Sequence, residues 1–232
     1  MSDEVYGVFE RFFESEPVPL EPAIEEEDHS SPHWIRQRLS FAAGYGDDRV
    51  TALLYLPKSA KPPYQTMVFM GGAGSFSQRP STSEDLIQNW SRMEYLIRGG
   101  RAVLFPLWNG SYERGDKFSP TGSGAVAFRE KTIEWVKELR QSVDYLETRD
   151  YIDPDKIGFE GTSYGALMMN GRYDPIFPYE SSQLPMFEAL GTPDTQKRFL
   201  TFPSGHSSYG WNSELYREGI SWLDQLFGKP LR

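Results

Sequence analysis

A chain of 232 residues with 38% hydrophobic and 15% aromatic content is long enough to bury one substantial core. Its formal net charge of -9 and pI near 5.0 argue against nucleic acid or an anionic membrane surface as partner. There is no cysteine, which removes disulfides, thiolate metal ligands and cysteine nucleophiles together, and no apolar run approaches the ~20 residues needed to span a bilayer.

The first 33 residues open with MSDEVYGVFERFF, which is acidic at its start and lacks the apolar stretch of a secretory signal. They continue through Glu25, Glu26, Glu27 and Asp28, a run that reads as a solvated lead-in. A cytoplasmic protein is expected, with one α/β domain over 34–232. Two β-like runs at 34–42 and 50–56 flank the turn sequence GYGDD. TMVFM (66–70) is a short continuous apolar run of the buried-strand kind and ends at Gly71-Gly72-Ala73-Gly74. Helical spacing runs over about 83–97 and stops at Gly99-Gly100. RAVLFP (101–106) predicts another buried strand. From 124 to 148, Ile133, Val136, Leu139, Val143 and Leu146 recur at helical spacing. KIGFEG (156–161), LMMNG (167–171) and RFLTFP (198–203) predict three more strands, and 179–190 and 213–227 are amphipathic. Strands alternating with helices imply βαβ units, hence a mostly parallel central sheet flanked by helices.

The chemistry is carried by residues at strand ends. A serine hydroxyl is a poor nucleophile until a base takes its proton and its oxygen is presented without crowding. Gly161-Thr162-Ser163-Tyr164-Gly165 offers such a presentation, because a sharp strand-to-helix turn needs tiny residues two before and two after the serine. The bland alternative is a Gly-Ser loop. Of the three histidines, His29 and His33 sit in the polar lead-in, whereas His206 follows RFLTFP at the end of the last strand. Alone, His206 would be an exposed loop histidine. Asp174, in the turn RYDPIFP after LMMNG, is the acid candidate, with Asp194 as the fallback; alone, an aspartate before proline is a common turn. An oxyanion needs two backbone N–H donors, expected from Tyr164 and from Gly72 or Ala73. Trp108 and Tyr112 in PLWNGSYERG are candidate substrate-binding residues with Glu113 or Arg114 at the rim, although such aromatics more often pack a loop. No HExxH motif occurs and the histidines are few, which disfavours metal hydrolysis.

Taken together, TMVFMGGAG, GRAVLFPLWNGSYERG, DYLETRDYIDPDKIGFEGTSYGA, MMNGRYDPIFPYESSQ and FPSGH resemble the α/β-hydrolase superfamily, of the dienelactone hydrolase and prolyl-oligopeptidase-like serine esterase type. The resemblance covers most of 34–227. It implies an α/β-hydrolase fold and a triad in the order Ser163, Asp174, His206. It also implies cleavage of carboxylic esters through an acyl-enzyme, with no metal or cofactor and a small-molecule ester as partner. A homo-oligomer stays open. The alternatives are a serine peptidase of the prolyl-oligopeptidase-like type and a catalytically inactive hydrolase-fold binding module.

One spacing departs from the family. There, a helix, a sixth strand and usually a lid separate the elbow from the acid's strand. Here only Tyr164, Gly165 and Ala166 stand between Ser163 and Leu167, and a crossover with its helix needs at least ~10–12 residues. The helix–strand–lid segment is therefore expected to be missing near 166–167, through an omission, a splice or a natural deletion. Family positions would put 166 and 167 at opposite edges of the sheet, ~17–20 Å apart, whereas one peptide spans ~3.8 Å.

Overall fold

The computed structural model describes residues 11–15, 17–76, 80–84, 87, 90–116, 118–119, 122–161, 168–189, 197–206 and 210–232. They fall into two compact units, Met1–Ser163 with Pro230–Arg232, and Tyr164–Lys229.

The first unit is built on a six-stranded sheet. Its strands are β1 (Ala23–Asp28), β2 (Trp34–Ala42), β3 (Arg49–Pro57), β4 (Tyr64–Met70), β5 (Ala102–Leu107) and β6 (Ile152–Gly161), in the order β1-β2-β3-β5-β4-β6. β5, β4 and β6 run parallel; the steps β1–β2, β2–β3 and β3–β5 are antiparallel. The sheet is thus mixed, with its parallel part confined to the half that leads toward the elbow. β5 is buried along its whole length and β4 nearly so, which is what continuous apolar runs such as AVLFPL produce when both faces of a strand are covered. The β2–β3 turn uses Gly44 and Gly46 at φ 80° and 50°, backbone conformations that glycine adopts without steric cost.

The acidic lead-in differs from expectation. Residues Ala23–Asp28 are not simply solvated chain but an edge strand on β2. The reason lies across the ladder: Arg36 sits 3.4 Å from both Glu26 and Asp28, and Arg38 lies 3.6 Å from Glu25. Such exposed pairs are each worth at most ~1 kcal/mol, but a charged edge also discourages pairing with foreign strands.

Helix α1 (Trp90–Arg98) packs on β3 and β5 and buries Met93, Leu96 and Ile97; it stops where Gly100 turns at φ 90° and donates to the Ile97 carbonyl. The expected start near 83 is not matched, since the described helix begins at Trp90. Helix α2 (Ala125–Glu147) matches the expected span but not the expected face. Its fully buried residues are Trp135, Glu138, Gln141, Ser142, Tyr145 and Leu146, whereas Ile133, Val136, Leu139 and Val143 are only half-buried. The stripe is rotated because Glu138 is drawn inward by an ion pair to Arg114 at 2.7 Å.

The second unit holds a two-stranded parallel sheet, β7 (Met168–Gly171) on β8 (Phe199–Phe202), with Met168 opposite Phe199 and Gly171 opposite Phe202. A π-helical turn, Tyr179–Gln183, leads into α3 (Leu184–Ala189), and Phe199 stacks on Tyr179 and Phe187. Helix α4 (Asn212–Phe227) buries Leu215, Gly219 and Leu223, spaced four apart on one face. Among the described residues β7 pairs only with β8; the resemblance implies a strand of the central sheet at this point in the chain. The sixth strand that the family places between the elbow and that strand has no counterpart in the sequence. Residues 162–167, where a break was expected between Ala166 and Leu167, lie outside the described residues. Among the described residues no helix is long and apolar enough to cross a membrane.

Candidate active site

Because β7 and β8 are parallel and in register, their carboxyl ends emerge at the same edge. Asp174 follows β7 by three residues and His206 follows β8 by four, and the two side chains meet: His206 Nδ1 lies 2.8 Å from Asp174 Oδ2. The other carboxylate oxygen, Oδ1, accepts the N–H groups of Ile176 at 2.8 Å and Phe177 at 3.1 Å. Asp174 is buried at 4% exposure while the imidazole stays exposed. Burial works to raise the Asp174 carboxyl, but the hydrogen bonds from His206, Phe177 and Ile176 outweigh it and hold it below the usual carboxylate range. An ionised carboxylate accepts only, so Nδ1 carries the hydrogen, and in the neutral imidazole the lone pair is then on Nε2. That is the tautomer a general base needs.

Two backbone bonds zip the acid turn to the base loop: Arg172 N–H donates to Phe202 O at 2.7 Å, and Tyr173 N–H to Ser204 O at 3.0 Å. The closeness of the two segments explains Gly171, which sequence reasoning did not single out. A Cβ at that position would stand 1.9 Å from Gly205 O and 2.5 Å from Ser204 O. The signal for it is only the glycine at the end of LMMNG. The ring of Phe177 lies 5.6 Å from the His206 ring.

The oxyanion segment and Gly161, the first residue of the elbow, belong to the first unit. The β4–β6 ladder ends with Met70 opposite Gly161, so Gly71-Gly72 leaves β4 at the edge where β6 ends. Past Met70 the chain turns into a single 3-10 turn, Ala73–Ser75, closed by Ser75 N–H on Gly72 O at 2.9 Å. Gly71 lies close under the same turn: a Cβ there would stand 2.2 Å from Ser75 Oγ, which would have to rotate away. Among the described residues no backbone hydrogen bond uses the N–H of Gly72 or Ala73. Ser163 and Tyr164 lie outside the described residues, as does the fallback acid Asp194. Just before the elbow, Glu160 accepts the Tyr95 hydroxyl at 2.6 Å. Burial pushes its carboxyl up to about 7, against the Tyr95 hydrogen bond and the Arg92 charge. Sequence reasoning missed this group, because nothing local marks it as half-buried beside Tyr95.

The loop after β5 is tied into the fold. Trp108 and Tyr112 are each 1% exposed and have core contacts, the indole N–H on Phe69 O at 3.3 Å and the phenol edge-on to Phe105. Tyr112 takes φ 48°, a strained value for a non-glycine residue. Glu113 accepts the Ser81 N–H at 2.7 Å. Arg114 donates to Leu107 O at 2.7 Å and pairs with Asp48 and Glu138. Neither charged residue stands free at a rim.

The family model of the prolyl oligopeptidase family matches residues 88–222, more than half of the chain. A search of curated proteins returns no significant match. Among solved structures, acetyl xylan esterase 1 from Thermoanaerobacterium sp. is similar at TM-score 0.70 and 13% identity, over 97% of this chain and 94% of that one. A dienelactone hydrolase-like promiscuous phosphotriesterase from metagenomic libraries gives TM-score 0.64 at 12% identity, over 84% and 100%. A cold-adapted esterase from an Arctic intertidal metagenomic library gives 0.60 at 14%, over 90% and 99%. At such identities the likeness is one of fold. With its mixed sheet, parallel toward the elbow, and the matched family model, the chain belongs to the prolyl oligopeptidase family, a serine hydrolase built on the α/β-hydrolase fold.

Proposed function

We propose that the chain hydrolyses carboxylic esters of small molecules through an acyl-enzyme formed on Ser163, with His206 as base and Asp174 as its partner. The observation that carries this reading is the 2.8 Å contact between His206 Nδ1 and a buried carboxylate that itself accepts two backbone N–H groups. In the reaction, Nε2 takes the Ser163 hydroxyl proton as Oγ attacks the ester carbonyl carbon. The negative charge that develops on the carbonyl oxygen is met by the N–H groups of Tyr164 and of Gly72 or Ala73. Collapse breaks the C–O bond to the alcohol, which leaves with the proton from Nε2. Water then gives its proton to Nε2, attacks the acyl carbon and releases the acid and a free Ser163.

Support for an ester substrate comes from the similar structures that are esterases, and support for a peptide substrate from the family to which the chain belongs. The cysteine-free composition suits the reducing cytoplasm. Turnover of 4-nitrophenyl acetate against that of a prolyl 4-nitroanilide peptide separates the two substrates. The proposal expects ester turnover that His206→Gln removes; turnover of the anilide alone, or of neither, contradicts it.

A further inference from the structure

We infer that Gln183 is a positioning residue: its side-chain amide locks the turn that carries Asp174 and, through that carboxylate, the orientation of His206. The inference rests on the acid–base reading of that pair. Gln183 is fully buried, at 0% exposure. Its Nε2 donates to Gly171 O at 2.9 Å and to Phe177 O at 2.7 Å. Those two carbonyls bracket the acid turn: Gly171 closes β7, and the Phe177 N–H is one of the two that hold Asp174 Oδ1. One side chain thus ties both ends of a seven-residue loop whose middle residue is the acid.

The direction of the amide is not arbitrary. Both partners are carbonyl oxygens, which can only accept, so a flipped amide would set Oε1 against two oxygens. As it stands, Oε1 is buried with no hydrogen-bond partner among the described residues. A buried unmade acceptor is unfavourable, so the oxygen is not what the position selects for; what the glutamine adds is the two donors. The backbone delivers it there by a π-helical turn, in which Ser182 N–H and Gln183 N–H both donate to Pro178 O, at 2.9 and 3.2 Å. Such widened turns are frequent at functional sites. If the amide is lost, the Phe177 end of the turn is released, and with it an Asp174 hydrogen bond and the ring beside His206.

The test is a double-mutant cycle on the full chain, with kcat and KM for 4-nitrophenyl acetate and Tm measured for each member. Gln183→Met keeps the volume and removes both donors. It is expected to lower kcat ~10–100-fold, as a displacement of about 1 Å does, with KM within about twofold and Tm lowered, since the Gly171 and Phe177 carbonyls each lose a donor. In an Asp174→Asn background the same change is expected to add less than about twofold, because residues that act through one group do not add. A parent-like kcat in Gln183→Met, kcat and KM moving together, or a full multiplicative loss on top of Asp174→Asn overturns the inference. Gln183→Asn, which keeps the amide but retracts it by one methylene, runs in the same cycle under the same criteria should the methionine variant not fold. Parent turnover in Asp174→Asn itself removes the acid–base reading and this inference together, whereas a multiplicative result in an impaired Asp174→Asn removes this inference alone.

Discussion

Gly171→Ala is the smallest change that reaches the acid–base pair without touching either member. No unusual φ is required at this position, so the cost is one of space alone. The new methyl would sit 1.9 Å from Gly205 O, and ordinary contact begins at 3.4 Å, so the 204–205 backbone must retreat by about 1.5 Å. His206 is the next residue. A retreat of that size stretches the 2.8 Å bond to Asp174 beyond any hydrogen bond and also strains Tyr173 N–H on Ser204 O. Overpacking of this kind destabilises by about 1–3 kcal/mol, and a base misplaced by more than 1 Å loses on the order of 100-fold in kcat. Ester turnover and urea unfolding read the two effects. Gly205→Ala is the control, since a Cβ there meets nothing within 4 Å, and it is expected to leave both measurements unchanged. A Gly171→Ala protein with kcat within about twofold of the parent refutes the reasoning, as does a Gly205→Ala protein that is equally impaired.

Three further outcomes follow from buried charges. Glu160 has a folded value near 7 against an ordinary 4.5, so its stabilising protonated form is fully present below about 4.5 and lost as pH rises through about 7, a swing of roughly 3 kcal/mol. Glu160→Gln should flatten the unfolding free energy over that window; curves that stay parallel count against it. Asp174 is shifted the other way, so its contribution is present above its ordinary 3.8 and lost as pH falls below that value, and Asp174→Asn should make acid unfolding shallower there. Unchanged steepness in acid titrations of the variant contradicts this. Arg114→Met strands the fully buried Glu138 carboxylate, which keeps only the Tyr45 hydroxyl and Asn109 N–H, and is expected to cost about 3–5 kcal/mol by chemical denaturation. The double variant with Glu138→Gln should recover part of it, and a loss below about 1 kcal/mol for Arg114→Met alone is the contrary result.

Much of this was legible locally. The strands at 66–70 and 101–106 announce themselves as continuous apolar runs, and the span of α2 follows from its spacing to within a residue at each end. Asp174 and His206 could be picked out because each follows a strand in the hydrolase order, and the structure brings them to hydrogen-bond distance. What the sequence hid depends on partners far along the chain. The edge strand Ala23–Asp28 reads as solvent-facing until Arg36 and Arg38 stand opposite it. The inward face of α2 turns on Glu138, whose burial makes sense only with Arg114 beside it. Trp108 and Tyr112 carry the same letters whether they line a pocket or fill a core, and only the structure shows that each is 1% exposed. Gly171 and Gln183 act through contacts that no local pattern encodes.

The most direct test of the central claim is covalent labelling of the intact chain with a fluorophosphonate, read as the mass added to the peptide that contains Ser163. The account predicts one equivalent on the parent protein, none on Ser163→Ala, and greatly slowed labelling on His206→Gln, because the hydroxyl is nucleophilic only while Nε2 can take its proton. Equal labelling of the parent and Ser163→Ala, or no labelling of the parent, would contradict it.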